Sequence, residues 1–333
     1  MTTLVGEDVV DRFDRAVAAG DRDDALTLVE RLVDDGVEPI AVMVDLVAAV
    51  QRRVGQRWAD GTWSVAQEHA ATGIATSALE AVGRRVRATV PERGRVVVAC
   101  AEHEWHALPA MLVANALRTR GWNVTLLGAS TPTARLNRYL QDLGPDLTAV
   151  SCSVPAGLPH SRGFIEASTT AGIPVLAGGA AFGPDARRAS ALGATAWAPD
   201  ARRAVATAEN LPMVVRAAAP LPGEVTAEQG ALHAAHRTLL AAITGRWAAT
   251  TAASADTGDL QDAVDQTLYA VSGALLTGDE RLLCETSTWV DLVLTARGFA
   301  GAAHAELGEH LLRELRDYPL AARLVRDHWG SAR

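Results

Sequence analysis

From Arg95 onwards, short apolar segments alternate with amphipathic helical segments, and this alternation limits the possible folds more than any other feature. The predicted strands are Val96–Ala101, Asn123–Leu127, Leu147–Ser151 and Pro174–Ala177, with a fifth near Ala194–Trp197. The predicted helices are Ala107–Arg120, Thr133–Leu143, Pro159–Ala171 and Gly183–Leu192. Strands that alternate with helices form a parallel, doubly wound sheet. In such a sheet, ligands bind at the carboxyl ends of the strands.

The loop after the first strand contains an unusual number of titratable residues. Its sequence, Ala101–Pro109, includes two histidines and two glutamates. Imidazole is a common metal ligand, so His103 and His106 are both candidate ligands, with the acids Glu102 and Glu104 beside them. The residues alone leave the choice between the two histidines open.

Two more loops at the same predicted edge of the sheet have small or hydroxylated residues. They are Ser151-Cys152-Ser153 after the third strand and Gly178-Gly179 after the fourth. No GxGxxG motif follows the first strand, so a dinucleotide site is not expected. The sequence contains no lysine, so a P-loop is excluded.

Together these loops resemble the flavodoxin-like (Rossmann-like) cobalamin-binding domain of methionine synthase, the corrinoid proteins and the mutases. That family has Asp-x-His-x-x-Gly, then Ser-x-Leu, then Gly-Gly. Here the three places are taken by residues 104–109, 151–153 and 178–179, with Glu104 for Asp, Pro109 for Gly and Ser153 for Leu. A response-regulator-like or ligand-free flavodoxin-like domain is the alternative.

The resemblance implies a role for each matching residue. His106 would be the lower axial ligand of cobalt, and Glu104 would orient its other ring nitrogen. The acid-x-His spacing and the distance to the following helix favour His106 over His103. Ser151, Ser153, Gly178 and Gly179 would accommodate the nucleotide tail of the cofactor.

Four helical segments precede the α/β region and predict a small helical bundle. They are Asp8–Ala18, Asp21–Leu32, Ile40–Gln56 and Ser64–Val86. Ser64-Val65-Ala66-Gln67 is a capping-box pattern that marks the start of the fourth helix. Around the turn before it lie Trp58, Glu68 and His69, in the spacing Trp-x9-Glu-His.

A bundle with this spacing, followed by a cobalamin domain, resembles the light-sensing adenosylcobalamin receptors of the CarH type over about residues 9–203. The resemblance implies that Trp58, Glu68 and His69 line the upper axial face, beside the adenosyl group. Where that family has a histidine directly after the tryptophan, this chain has Ala59. The family's N-terminal helix-turn-helix has no counterpart, so direct DNA binding is not expected.

The last third predicts an all-α domain after a linker at Pro220–Glu224. Its five predicted helices are Thr226–Arg246, Asp259–Leu276, Glu280–Arg297, Ala303–Leu315 and Ala321–Trp329. Histidine, arginine and tryptophan are scattered along them, and such residues can enclose an acidic tetrapyrrole. The order of parts resembles the photocobilins, in which a CarH-like B12 module precedes a globin-like domain that binds biliverdin. The resemblance implies biliverdin as a second chromophore.

Composition narrows the partners and the compartment. The net charge of −8 and the absence of basic clusters argue against nucleic-acid or anionic-membrane binding. The three cysteines are far apart, and no secretion signal or long apolar segment is present, so a cytoplasmic protein is expected. The predicted domains are a bundle at 1–90, a cobalamin domain at 91–215 and a helical sensor domain at 216–333.

The resemblances to these families therefore imply a photoreceptor and not an enzyme. It would bind adenosylcobalamin, form a homo-oligomer such as a dimer, and act on an effector protein that the sequence does not identify. The alternative is a corrinoid methyl-carrier subunit of a methyltransferase system. A third hypothesis is a regulatory scaffold with a degenerate site that binds no corrinoid.

Overall fold

The structure is a computed structural model, and it describes residues 5–86, 93–212, 215–250 and 257–331. It contains a helical bundle, a five-stranded parallel sheet flanked by helices, and a group of C-terminal helices. This architecture confirms the predicted fold class. The domain limits at 90 and 215 stay predictions.

The bundle consists of α1 (Glu7–Ala19), α2 (Arg22–Asp34), α3 and α4 (Val65–Val86). The α3 helix has three contiguous parts, Pro39–Ala41, a π-helical stretch Val42–Val47, and Ala48–Ala59. It therefore extends three residues beyond the predicted end at Gln56 and includes Trp58. The core of the bundle contains fully buried side chains from several helices, among them Phe13, Met43 and Leu79.

The capping box at the start of α4 is confirmed by its hydrogen bonds. The backbone N–H of Gln67 donates to Ser64 Oγ over 3.3 Å, and the backbone N–H of Ser64 donates to Gln67 Oε1 over 2.9 Å. These bonds satisfy amide groups that lack a partner in the first turn of a helix. The start of α4 is thus fixed locally, and with it the position of Glu68 in the first turn.

The sheet has five parallel strands in the order β2-β1-β3-β4-β5. They are β1 (Gly94–Cys100), β2 (Trp122–Gly128), β3 (Leu147–Ser151), β4 (Val175–Gly178) and β5 (Ala196–Ala198). The helices between and after them are α5 (Ala107–Arg118), α6 (Leu136–Leu143), α7 (Leu158–Thr170), α8 (Arg187–Ala191) and α9 (Ala201–Ala208). Burial on both faces explains the continuous apolar run Val96–Ala99 of the central strand β1.

Strand register brings the three predicted site loops together. Cys100 pairs with Ser151, and Ser151 pairs with Gly178, so β1, β3 and β4 end side by side. The loop after β1, the Ser151–Ser153 loop and the Gly178-Gly179 loop therefore share one edge of the sheet. This is the arrangement that the alternation of strands and helices predicts.

The C-terminal helices are α10 (Gly223–Thr250), α11 (Thr257–Thr277), α12 (Arg281–Ala296), α13 (Ala303–Glu314) and α14 (Pro319–His328). All five predicted helices are present, but α10 begins at Gly223, inside the predicted linker. These helices share one apolar core with one face of the sheet, and this core includes the fully buried Trp247. A β-carbon at Gly273 of α11 would lie 3.3 Å from Leu158 Cδ2 of α7, so the two helices pack closely.

No helix in the described ranges combines the length and hydrophobicity needed to span a membrane.

Candidate functional site

Glu104 and His106 form a hydrogen-bonded pair in the loop after β1. The Glu104 side chain is fully buried, and its Oε1 accepts from the backbone N–H of His106 and lies 2.7 Å from His106 Nδ1. Its Oε2 accepts from the backbone N–H groups of Ser153 and Val154. Both carboxylate oxygens thus have partners, and the carboxylate joins the first loop to the loop after β3.

The pair is electrostatically complementary. Burial disfavours the Glu104 carboxylate, but hydrogen bonds from His106 and from the Ser153 amide outweigh burial and lower the pKa of Glu104. The hydrogen bond with Glu104 raises the pKa of His106, and the charge of Glu68 raises it further. Glu104 is therefore an anionic acceptor, and it fixes the proton of His106 on Nδ1.

This arrangement leaves Nε2 of His106 as the nitrogen that can bind a metal. The His106 side chain is 59% exposed, and it lies at the N-terminus of α5. Trp105 beside it is 73% exposed. Among the described residues, no group of three or more His, Cys, Asp or Glu side chains could hold a metal ion. His106 is thus placed to offer one imidazole nitrogen to a metal.

His103, the competing candidate, is placed differently. Its backbone is left-handed, with φ 66°, and its ring centroid lies 4.4 Å from that of His160 in α7. It also lies 6.1 Å from the ring of Tyr269 in α11. His103 thus interacts with side chains of α7 and α11, and the buried acid holds His106. The geometry favours His106 as the ligand.

Ser151, Gly178 and Gly179 line a cavity of about 210 Å³ at the carboxyl ends of the strands. Pro109 and Leu112 of α5 also line it, as does Ala48 of the bundle. An apolar protein cavity of ~150 Å³ can hold benzene, so this one has room for a flat aromatic group. The cavity and the His106 imidazole together fit a corrinoid with an aromatic nucleotide tail.

The two glycines also have a structural reason within the protein itself. Gly179 has φ 103°, and a β-carbon there would lie 2.2 Å from the carbonyl oxygen of Cys152. A β-carbon at Gly178 would lie 2.9 Å from the carbonyl oxygen of Ala198. The glycines therefore permit close contacts between neighbouring strand ends, in addition to any approach of a ligand. Ser153 contributes its backbone N–H, which binds Glu104.

The three predicted residues of the bundle are placed in two groups. Glu68 lies near enough to His106 to raise its pKa, and it accepts from Thr72 Oγ1 over 2.7 Å. Its other oxygen is 2.5 Å from Nδ1 of His69, a side chain that is 74% exposed. The described ring contacts of Trp58, in contrast, are with Trp289 and Arg297 of the C-terminal helices.

The structure also brings together histidines that the sequence leaves scattered. His160 of α7 lies 5.6 Å from His233 of α10 and 6.0 Å from Tyr269 of α11, measured between ring centroids. His236 lies 4.2 Å from Tyr269, and its Nε2 is 2.7 Å from Asp265 Oδ1. Burial, and then the neighbouring histidines, lower the pKa of His160 to about 4. His160 was absent from the sequence candidates because its partners lie on helices far away in the chain.

Comparison with known proteins identifies the domains. Residues 94–206 match the family model of the B12 binding domain, and residues 9–82 match a second model with that description. The bundle and the sheet thus each match a B12 binding domain. The class of protein that fold and site define is a cobalamin-binding protein.

Two curated relatives narrow the class. The chain is 31% identical over 146 residues to the HTH-type transcriptional repressor CarH of Myxococcus xanthus, covering 43% of this chain and 48% of the relative. It is 32% identical over 87 residues to the repressor CarA of the same organism, covering 26% of this chain and 30% of that protein. The matched part of the chain covers about half the length of CarH and less than a third of the length of CarA. The similarity is of the CarH type.

A solved structure confirms the fold. The monomethylamine corrinoid protein of Methanosarcina barkeri superposes with a TM-score of 0.53 at 16% identity. The match covers 61% of this chain and 98% of that protein. At this identity the likeness concerns the fold alone.

Proposed function

We propose that this chain is a light-sensing receptor that binds adenosylcobalamin at the carboxyl edge of the sheet, beneath the bundle. The observation that carries the proposal is the pair of a buried Glu104 carboxylate and an exposed His106 imidazole with Nε2 available. Adenosylcobalamin, when bound, supplies a cobalt–carbon bond that light breaks. The similarity to the CarH type and the B12 binding domains support this cofactor.

Each part of the site has a role in this proposal. His106 would bind the cobalt of the cobalamin through Nε2, and Glu104 would hold it in the tautomer that leaves this nitrogen free. Ser151, Gly178 and Gly179 line the cavity that receives the nucleotide tail, and the Ser153 amide holds Glu104 in place.

Trp58, Glu68 and His69 lie on the bundle, and in this proposal they would contact the adenosyl group of the bound cofactor. A ligand shifts a conformational equilibrium only when it binds two states unequally. Bundle residues that contact the adenosyl group in one state only would supply that difference. The role of the chain is therefore binding and signalling, and not catalysis.

Absorption spectra test this proposal directly. The purified chain is loaded with adenosylcobalamin in the dark, and spectra are recorded before and after green light. The expected result is a spectral change on illumination. The variant His106→Ala should alter the cobalamin spectrum, and His103→Asn, which keeps a residue that tolerates the left-handed backbone, should not. An unchanged spectrum on illumination would overturn light sensing.

We also propose biliverdin as a second chromophore of the C-terminal helices. The convergence of His160, His233, His236 and Tyr269 between α7, α10 and α11 supports a polar aromatic site there. The cavity beside them is only about 10 Å³, so the helices would have to separate to admit a linear tetrapyrrole. Coexpression with a biliverdin source should add a red-shifted absorption band, and its absence would exclude this second chromophore.

The main alternative is a corrinoid methyl carrier. The fold likeness to a monomethylamine corrinoid protein is compatible with both functions. A carrier should prefer methylcobalamin and support a partner methyltransferase, whereas the proposed receptor should prefer adenosylcobalamin. Failure to bind any corrinoid would instead indicate a regulatory scaffold. The homodimer and the effector protein are further parts of the proposal, and size-exclusion chromatography in dark and light tests the first of them.

A further inference from the structure

The turn that follows α3 lies against the C-terminal end of α12. Gly61 in this turn has φ 73°, and a β-carbon there would lie 3.0 Å from the carbonyl oxygen of Ala296, the last residue of α12. The bundle and the C-terminal helices thus meet at close range at this point. A larger residue at position 61 would push the two apart.

Two side chains contact the ring of Trp58: Trp289 of α12 and Arg297, the C-cap residue of α12. The rings of Trp58 and Trp289 stack with centroids 6.3 Å apart and an interplanar angle of 23°. The guanidinium carbon of Arg297 lies 4.8 Å from the Trp58 ring centroid. Aromatic stacking and a cation over an indole are both attractive, and both strengthen when shielded from water.

Arg297 is itself held in place. Its Nε is 2.8 Å from Oδ1 of Asp259 in the first turn of α11, and both side chains are partly buried. A guanidinium that is fixed by a carboxylate loses little further freedom when it covers a ring. Trp58 therefore contacts a preformed surface of the C-terminal helices.

The same turn connects Trp58 to the cobalamin site. The N–H of Trp63 donates to the carbonyl of Arg57 over 2.9 Å, and Thr62 Oγ1 donates to the same carbonyl over 3.0 Å. These bonds tie the end of α3 to the residues just before α4. Glu68, a predicted residue of the cobalamin site, lies in the first turn of α4. A shift of Trp58 would therefore be transmitted to the start of α4.

We infer that Trp289 and Arg297 are positioning residues that hold the Trp58 ring in place. Through Trp58, the C-terminal helices then influence the side of the cobalamin site that the bundle forms. The inference rests on the proposed function, in which Trp58 faces the adenosyl group. Removal of either side chain should weaken binding of adenosylcobalamin more than binding of methylcobalamin, which lacks the large upper group. In the reverse direction, a movement of Trp58 on cofactor binding would change its contacts with Trp289 and Arg297 and so displace α12.

The first test uses the full chain without cobalamin. Stacked tryptophans give an exciton couplet in far-ultraviolet circular dichroism, and Trp289→Leu should abolish the couplet due to this pair. Trp63→Leu is the matched control, since Trp63 has Arg57 over its ring and lies in the same turn region. The control should retain the couplet. Equal loss in both variants would overturn the stacking.

The second test measures affinity for both cobalamins. Trp289→Leu and Arg297→Gln should each reduce the preference for adenosylcobalamin by about 3- to 10-fold, the range for one aromatic or cation–π contact. Trp289→Phe and Arg297→Lys should restore most of it. Arg246→Gln is the control, because it removes an ion pair with Glu314 within the C-terminal helices. It should leave the preference unchanged.

A double-mutant cycle identifies the route of the effect. In a Trp58→Leu background, Trp289→Leu should have no further effect on the preference, because its action passes through Trp58. An equal loss in both backgrounds, or an unchanged preference in the single variants, would overturn the positioning role while leaving cobalamin binding intact. If the unmodified chain bound no adenosylcobalamin, the proposed function would fail, and this inference with it.

Discussion

The carboxylate of Glu104 lies 2.7 Å from Nδ1 of His106, with the acid fully buried and the imidazole 59% exposed. The same carboxylate accepts backbone hydrogen bonds from the loop after β3. An anion that is desolvated and held from two loops is a rigid acceptor. It fixes both the tautomer and the orientation of the imidazole, so that His106 is preorganised to bind a metal through Nε2.

Replacement of Glu104 by glutamine should therefore weaken cobalamin binding. The amide keeps one acceptor oxygen but loses the charge that fixes the Nδ1 proton. Substitutions of such supporting residues typically cost ~10- to 100-fold in metal affinity, and we expect a loss in that range. The measurement is a spectroscopic titration of the variant with cobalamin.

Glu102→Gln is the matched control for this substitution. Glu102 lies in the same loop and is only partly buried, next to His103. Its removal should change the affinity less than about 2-fold, since a charge that still contacts solvent contributes little. Equal losses in the two variants would contradict the special role of Glu104.

A side chain at position 179 should damage both the stability and the site. Gly179 has φ 103° and ψ 160°, a combination that is essentially restricted to glycine. An added β-carbon would also meet the carbonyl oxygen of Cys152 at 2.2 Å. We expect Gly179→Ala to destabilise the chain by at least about 3 kcal/mol and to lower cobalamin affinity, since Gly179 lines the cavity.

Gly172→Ala separates the effect of backbone strain from the effect of the close contact at the cavity. Gly172 also has a positive φ, 77°, but a β-carbon there would meet no atom of the described residues within 4 Å. It should cost only the left-handed backbone strain of ~1–2 kcal/mol and leave cobalamin affinity unchanged. Thermal denaturation and cobalamin titration of both variants check the prediction, and similar results for the two would refute it.

Local patterns were sufficient to predict most of the fold. The alternation of apolar strands and helices predicted the parallel sheet, because each periodicity reflects burial of the segment itself. The acid-x-His spacing likewise placed Glu104 beside His106, because both residues lie in one loop. Some helix starts were predicted too early. The helix expected from Gly183 begins at Arg187, because Gly183 has φ 82° and Pro184 follows it.

Contacts between distant elements could not be predicted in this way. Trp58 was expected at the upper axial face, and no residue near it in the sequence indicates that Trp289 or Arg297 contacts its ring. The histidine group around His160 comes from three separate helices, and the buried ion pair between Arg188 and Asp279 also joins distant parts of the chain. Periodicity describes one element at a time and contains no information on which elements meet.

The Arg188–Asp279 pair should be critical for docking of the C-terminal helices. Both side chains are fully buried, with Nε of Arg188 2.9 Å from Oδ2 of Asp279. Removal of one partner leaves a buried charge without compensation, which costs about 3–5 kcal/mol. Because Glu285 also contacts Arg188, at 2.8 Å, we expect a loss near 3 kcal/mol for Asp279→Asn.

The matched control for this substitution is Asp317→Asn. Asp317 pairs with Arg316 at 3.7 Å on the surface, where both side chains are more than three-quarters exposed. Its removal should change stability by less than about 0.5 kcal/mol. Thermal denaturation measures both effects, and limited proteolysis should cut Asp279→Asn faster near the junction of the C-terminal helices. A stable, protease-resistant Asp279→Asn variant would contradict the prediction.

Acid should destabilise the chain through His160. Burial and the neighbouring histidines lower its pKa from 6.5 to about 4, so the folded state binds this proton less readily than the unfolded chain. The free energy of unfolding is therefore unaffected by His160 above pH 6.5, and it decreases as the pH falls from 6.5 towards 4. One pKa unit corresponds to about 1.4 kcal/mol, which limits the loss to about 3 kcal/mol.

The variant His160→Phe should remove this acid sensitivity. Within the described part of the chain, the buried Nε2 of His160 has no hydrogen-bond partner, so an apolar ring of similar shape should cost little at pH 8. The melting temperatures of the two proteins should be close at pH 8, and the variant should melt at the higher temperature at pH 5. His103, His233 and His236 lie around His160, and part of the acid effect should persist in the variant. A difference in melting temperature that is the same at both pH values would show that His160 is not the group responsible.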